Sequence, residues 1–168
     1  MVETLTRFRM ARAGDAAGVA RAHDAAWREA YRGIIPGGEL ERMVARRGPR
    51  WWDRAIAGGS PLMVFDFGGD VGGYCSFGRN RVPALPYEGE VFEIYLAPEY
   101  QGLGFGRRLF AAARRELAAH GLRSTVVWAL ADNARAIVFY ERLGGLRLRR
   151  AGETFGPERL ERIAYGFD

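Results

Sequence analysis

Glu90-Val91-Phe92-Glu93-Ile94-Tyr95-Leu96-Ala97-Pro98-Glu99-Tyr100-Gln101-Gly102-Leu103-Gly104-Phe105-Gly106 reads as a strand that enters a glycine loop and leaves it as a helix. Glycines at alternate positions leave backbone N–H groups uncovered where the helix begins, and a helix N-terminus carries about half a positive charge. Such a loop cradles an anion. Arg107 and Arg108 follow in the first helical turn, where a cation opposes the helix dipole unless an anion is bound nearby. The segment predicts a phosphate-bearing ligand, and two common kinds of phosphate loop fail on spacing. A dinucleotide fingerprint starting at Gly102 needs glycine at position 107, which is Arg, and an acid near 122, which is Leu. A Walker loop needs lysine, and the chain has none.

Working outward, Thr6 to Met10 reads as a strand, and Asp15 as the N-cap of a helix whose stripe is Val19, His23, Trp27 and Tyr31. Gly38 to Arg47 and Pro49 to Ala57 read as short helices. Leu62 to Phe67, the turn at Gly68-Gly69-Asp70 and Val71 to Gly78 form a hairpin, and Arg79 to Gly89, with two prolines, a loop. Beyond Glu90 to Leu96, Gly106 to His120 and Asn133 to Leu143 are helices. Ser124 to Leu130, Leu146 to Arg150 and Arg159 to Gly166 are strands. The order is β-α-α-α-β-β-β-α-β-α-β-β, a mixed α/β domain of the α+β type with a largely antiparallel front half. With no repeat or linker, residues 1–168 read as one domain.

Composition narrows the function classes. Of 168 residues 48% are apolar and 27% charged, ordinary globular values that argue against disorder and rods. No apolar stretch approaches the roughly 18 residues of a membrane span, and the N-terminus carries no secretory pattern, so a soluble, cytoplasmic protein is expected. One cysteine, Cys75, and two histidines, His23 and His120, argue against a disulfide scaffold and a metal site. The net charge of +5 comes entirely from arginines scattered among 20 acids, which argues against a nucleic-acid binder.

Gln101-Gly102-Leu103-Gly104-Phe105-Gly106 resembles the Gln/Arg-x-x-Gly-x-Gly/Ala pyrophosphate loop of the GNAT superfamily of acyl-CoA-dependent N-acyltransferases. Ala131-Asp132-Asn133-Ala134-Arg135-Ala136-Ile137-Val138-Phe139-Tyr140-Glu141-Arg142-Leu143-Gly144 resembles the family's Asn-x-x-Ala-x-x-Phe-Tyr-x-x-x-Gly stretch. Trp27 to Pro36 resembles a helix-to-loop segment of one bacterial branch. Gly145 departs from the pattern, which has Phe there. The resemblance implies a mainly antiparallel sheet of six to seven strands flanked by helices. It also implies acetyl transfer from acetyl-CoA to a primary amine of a small molecule or a peptide, without a covalent enzyme intermediate. The cofactor would be held by Gln101 through Arg107, by Asn133, and by a bulged strand at Ile94, Tyr95 and Leu96 whose N–H groups face the acyl oxygen. Dimers are common in the family, so a homodimer is an option. A non-catalytic acyl-CoA sensor is the rival reading, opposed by retention of Glu90, Asn133 and Tyr140.

The residues themselves are consistent with direct transfer. No serine sits in a Gly-x-Ser-x-Gly elbow, and Cys75 has no histidine beside it in sequence. An amine of ordinary pKa, about 10.4, is protonated at neutral pH and needs a base. Glu90 and Glu93 lie on the strand feeding the loop, and their odd spacing predicts opposite faces. Glu90, eleven residues before Gln101, occupies the position of the family's glutamate base and is preferred over Glu93, directly or through water. Tyr140, two helical turns after Asn133, is the expected acid for the departing thiolate. His23 is a minor candidate base. The acceptor pocket is expected from the first helix, the Ile34 to Glu39 loop and the Arg79 to Gly89 loop.

Overall fold

The computed structural model describes residues 5–168; residues 1–4 of the expected single domain lie outside it. The elements are β1 (Thr6–Met10), α1 (Ala16–Tyr31), α2 (Gly37–Arg46), α3 (Pro49–Ala57), β2 (Leu62–Phe67), β3 (Asp70–Arg79) and β4 (Gly89–Leu96). After a 3-10 turn (Pro98–Tyr100) come α4 (Phe105–Ala119), β5 (Thr125–Leu130), α5 (Ala134–Arg142), β6 (Leu146–Phe155) and β7 (Glu158–Phe167). This is the expected order. The strands form one seven-stranded sheet, β1-β2-β3-β4-β5-β7-β6, antiparallel except for the β4/β5 pair, which α4 connects.

Burial follows the periodicity. Val19, His23, Trp27 and Tyr31 are all buried against the sheet, as a four-residue repeat on one helix face requires. Asp15 starts α1 without capping it through its side chain. Its carboxylate instead accepts from the Arg12 N–H at 2.8 Å and from both Nη atoms of Arg9, tying β1 to the helix start. On the other sheet face, Leu109, Phe110 and Leu117 of α4 pack with Phe77, Val91, Val127, Tyr165 and Tyr140. Removing one such aromatic side chain costs about 3–5 kcal/mol. β6 runs five residues beyond the expected Arg150, because it zips with β7 as far as Phe155↔Glu158. Phe155 anchors that extension by packing near Tyr31, Leu40 and Val44.

Gly145 has no room for the Phe seen in the family pattern. A Cβ there would lie 2.7 Å from Phe167 and 2.9 Å from the Tyr140 carbonyl. Phe167 fills that space.

The irregularity in β4 positions everything else. Phe77 pairs with Val91 and Ser76 with Glu93, so Phe92 is an extra residue bulged out of the ladder. β4 then pairs with β5 only over Gly89↔Thr125, Glu90↔Val126 and Val91↔Val127. Beyond Val91 the two strands separate, as expected where a bulge bends one strand and raises its twist. The gap between them opens at the ends that lead to Gln101 and Asn133.

Candidate active site

The loop after β4 is shaped by two glycines. Gly102 and Gly104 have φ of +73° and +85°, which side chains with a Cβ rarely adopt, and the space around both is open. Gly104 is the N-cap of α4, which has no side-chain cap and no acid in its first turn, so its first N–H groups are left for a ligand. Leu103 is 65% exposed beside them. Gly106 serves packing instead, since a Cβ there would lie 3.3 Å from Phe139 of α5, and Phe105 is a core residue. The Gln101 side chain is already engaged: its Nε2 donates to the Leu96 carbonyl at 2.9 Å, and Arg135 donates to its Oε1. Arg135 also pairs with Glu29 at 3.1 Å, so the loop is fastened to β4, α5 and α1.

The two arginines of the first turn part company. Arg108 lies over the Phe8 ring at 4.9 Å. Arg107 lines a groove of about 360 Å³ together with Arg114, Arg115 and Arg123, floored by Phe110, Ala111, Leu143 and Phe167. Four guanidinium groups over an apolar floor, with no acid in the lining, suit a phosphorylated aromatic ligand. The sequence reading missed the last three arginines. Arg107, Arg114 and Arg115, seven and eight residues apart, share one face of α4, and Arg123 joins them from the segment beyond it.

The gap between β4 and β5 is approached from the α5 side by Tyr140. It is 5% exposed, and its hydroxyl has no hydrogen-bond partner among the described residues. Burial pushes it well above the ordinary tyrosine range, so it stays protonated. Asn133 caps α5 by accepting from the Ala136 N–H at 3.2 Å, and its side chain also reaches the Tyr31 hydroxyl. Burial likewise holds the Cys75 thiol protonated, which removes it as a nucleophile. Of the strand residues expected at the cofactor, Ile94 and Leu96 pack on the α4 side. Tyr95 points the other way, toward Trp27 and Tyr31. The bulge lies at Phe92, before these three residues.

The carboxylates correct an expectation. Phe77 and Cys75 of β3 face the α4 side, as do their partners Val91 and Ile94. Ser76 and Gly78 therefore face the α1 side, and so do their partners Glu93 and Glu90. The bulged Phe92 cancels the odd spacing, and both glutamates share one face. Glu90 is 2% exposed. It accepts from the Arg81 N–H at 2.9 Å and from Arg81 Nη2 at 2.9 Å, while Arg81 stacks on Phe92 at 4.0 Å. Glu93 accepts from the Tyr74 hydroxyl at 3.0 Å and from Arg47, and it lies past the last β4/β5 pair.

His23 is enclosed by Trp27, Trp52 and Tyr74. Neither ring nitrogen has a partner among the described residues, and desolvation lowers its pKa to about 4. It is a neutral core residue.

A second cavity of about 360 Å³ opens at the end of α1, lined by Arg28, Arg32, Gly33 to Gly37, Leu40, Glu41 and Glu158. The expected Ile34 loop contributes. The Arg79 to Gly89 loop does not: its Val82, Leu85 and Tyr87 cover Val126 and Ala164 elsewhere on the sheet.

A family model described as "Acetyltransferase (GNAT) family" matches residues 16–145. The chain is 31% identical over 164 residues to the uncharacterized N-acetyltransferase YuaI of Bacillus subtilis (strain 168), covering 97% of this chain and 93% of that one. It is 32% identical over 120 residues to the mycothiol acetyltransferase of Arthrobacter sp. (strain FB24), covering 69% of this chain and 35% of that protein. The chain thus spans about a third of that relative's length. Among solved structures, the PaiA N-acetyltransferase of Thermoplasma acidophilum in complex with coenzyme A aligns with a TM-score of 0.73 at 15% identity, covering 94% and 97% of the two chains. YncA of Salmonella typhimurium with acetyl-CoA aligns at 0.67 and 22% identity, covering 96% and 92%. At these identities the structural likeness speaks to the fold. No helix among the described residues is long and apolar enough to cross a membrane.

Proposed function

The chain belongs to the GNAT acetyltransferase family and is an acetyl-CoA-dependent N-acetyltransferase; from that premise we propose that it passes the acetyl group directly to a primary amine of a small molecule or a peptide. The observation that carries this reading is the conjunction at one opening. Free amides of an uncapped helix follow the end of β4, strands β4 and β5 separate beyond Val91, and Tyr140 of α5 is buried with a hydroxyl that has no hydrogen-bond partner among the described residues.

The site's residues fit the cofactor. Gly102, Leu103 and Gly104 present their N–H groups to the diphosphate, backed by the α4 dipole. The Arg107 groove is the right kind of surface for the phosphoadenosine end, and the Asn133 amide for the pantetheine arm. Acetyl-CoA supplies an activated acyl carbon: the amine nitrogen attacks it, the N–C bond forms as the C–S bond breaks, and the electron pair leaves on sulfur. Tyr140, kept protonated by burial, gives the sulfur its proton. The nitrogen's proton goes to a carboxylate of the α1-side pair. What favours Glu93 for direct contact is its place past the last β4/β5 pair. Glu90, 2% exposed and held by Arg81, acts only through water, and Glu93 exchanges its bond to Arg47 or Tyr74 when it takes the proton. The cavity at the end of α1 is the acceptor's approach.

The test is release of CoA thiol from acetyl-CoA across a panel of primary amines that includes polyamines, amino acids and peptides. Turnover with one class identifies the acceptor. Tight acetyl-CoA binding with no turnover on any amine would favour an acyl-CoA sensor.

A further inference from the structure

Tyr31 is the last residue of α1. Its side chain is 8% exposed and packs with Trp27, Leu130 and Phe155. Its hydroxyl shares a hydrogen bond with that of Tyr95. Tyr95 lies four residues past the last β4/β5 pair, on the separated part of β4, while Leu130 ends β5 on the opposite bank. The Tyr31 hydroxyl therefore sits where the two strands have parted, on the α1 side of the slot. Tyr140 approaches the same slot from the α5 side, and the two tyrosines are close enough to influence each other electrostatically.

The Tyr31 and Tyr95 hydroxyls share one hydrogen bond in which either oxygen can be the donor, and burial raises the Tyr31 pKa to about 12 against the opposing effect of hydrogen bonding with Tyr95 and Asn133. With Tyr95 as the donor of the shared bond, the Tyr31 O–H is left to give, and the hydrogen bond it accepts makes it more acidic. The Tyr95 oxygen is the one hydrogen-bond partner of the Tyr31 hydroxyl at measured distance among the described residues, so when Tyr95 donates, the Tyr31 O–H faces no acceptor of the protein there. Glu93 and Glu153 lie near enough to raise the pKa further, so the hydroxyl remains protonated at neutral pH.

We propose that Tyr31 is a second catalytic hydroxyl of the transfer, donating a hydrogen bond to the acyl oxygen as negative charge develops there, opposite Tyr140, which serves the sulfur. This rests on the acetyltransferase reading above. It gives the two hydroxyls separate duties: one stays with the oxygen without transferring its proton, the other protonates the leaving thiolate. Trp27, Tyr74 and Tyr95 are positioning residues, and a hydroxyl held this way gains its effect from needing no rearrangement as charge appears.

The experiment is isotope-edited infrared spectroscopy of acetyl-CoA labelled with ¹³C at the thioester carbonyl, bound to the wild type and to Tyr31→Phe. The carbonyl stretch should move to higher frequency in the variant, with acetyl-CoA affinity within about twofold of wild type and the melting temperature retained. With an amine from the panel, kcat should fall by roughly a hundredfold at unchanged acetyl-CoA KM, the loss typical of one oxyanion donor. Tyr95→Phe keeps the donor but removes one hydrogen bond to it, and should give a smaller shift in the same direction. An unchanged carbonyl frequency in Tyr31→Phe overturns the proposal. A frequency change accompanied by a matching loss of affinity makes Tyr31 a binding residue only, and also overturns it. If the wild type itself does not bind acetyl-CoA, the functional reading fails first, and that outcome is distinguishable because it appears before any variant is compared.

Discussion

Replacing Gly104 tests the cradle most directly, because the structure separates two ways in which a side chain there could act. Nothing lies within 4 Å of a Cβ built on Gly104, so steric collision is absent and the cost is the backbone's alone. At φ +85° and ψ −2° an L-residue is in the left-handed region, at a penalty of about 1–2 kcal/mol. For a domain of this size 1 kcal/mol moves Tm by roughly 2–4 °C, so Gly104→Ala should melt about 2–8 °C below wild type. Gly104→Asn should lose less, since asparagine tolerates this region, and Gly104→Val most, being β-branched. A chain that escapes the strain by turning φ negative also turns the N–H groups away from the ligand. Saturating acetyl-CoA should stabilise wild type by about 2.7 kcal/mol at a hundredfold excess over Kd, and each tenfold loss of affinity removes about 1.4 kcal/mol of that. Thermal unfolding with and without acetyl-CoA measures both quantities. The ligand-induced shift should shrink in the order Asn, Ala, Val. If Gly104→Val keeps the full wild-type shift, the diphosphate is held elsewhere and the loop argument is wrong.

Three further outcomes follow from named contacts. Tyr140→Phe should leave acetyl-CoA affinity intact and lower turnover by roughly a hundredfold, read by steady-state CoA release; unchanged turnover would make solvent the proton donor. Glu93→Gln should lower kcat/KM at neutral pH and recover toward high pH, where the amine loses its proton unaided. Glu90→Gln should instead lower Tm by weakening the Arg81 clamp, and the reverse pattern in a pH–rate profile would return the role of base to Glu90. For His23, whose pKa falls from 6.5 to about 4 on folding, the unfolded chain takes up a proton through pH 6.5 to 4 while the folded chain does not. Stability should therefore drop by about 3 kcal/mol over that window. His23→Phe should flatten that part of the pH–Tm curve, and a curve identical to wild type would show that His23 is not its source.

Much of the molecule was legible because it is written locally. A four-residue repeat of apolar side chains put Val19, His23, Trp27 and Tyr31 on one helical face whatever they packed against. Alternate glycines before a helix set Gly102 and Gly104 at its open end, whatever lay across from them. The element order and the open start of α4 needed only neighbouring residues and fixed spacings, whereas Asn133 and Tyr140 were singled out through the family resemblance. Other features depended on which strand lies beside which, and so waited for the tertiary structure. The bulge at Phe92 exists only in the register between β3 and β4, yet it put Glu90 and Glu93 on one face and parted β4 from β5. The clamp of Arg81 on Glu90, the groove that Arg123 completes beside three arginines of α4 and the meeting of Tyr31 with Tyr95 likewise join residues from separate parts of the chain. Spacing along a chain determines where a side chain points on its own helix or strand. Register, twist and packing determine what it meets, and the chemistry of this site is made of those meetings.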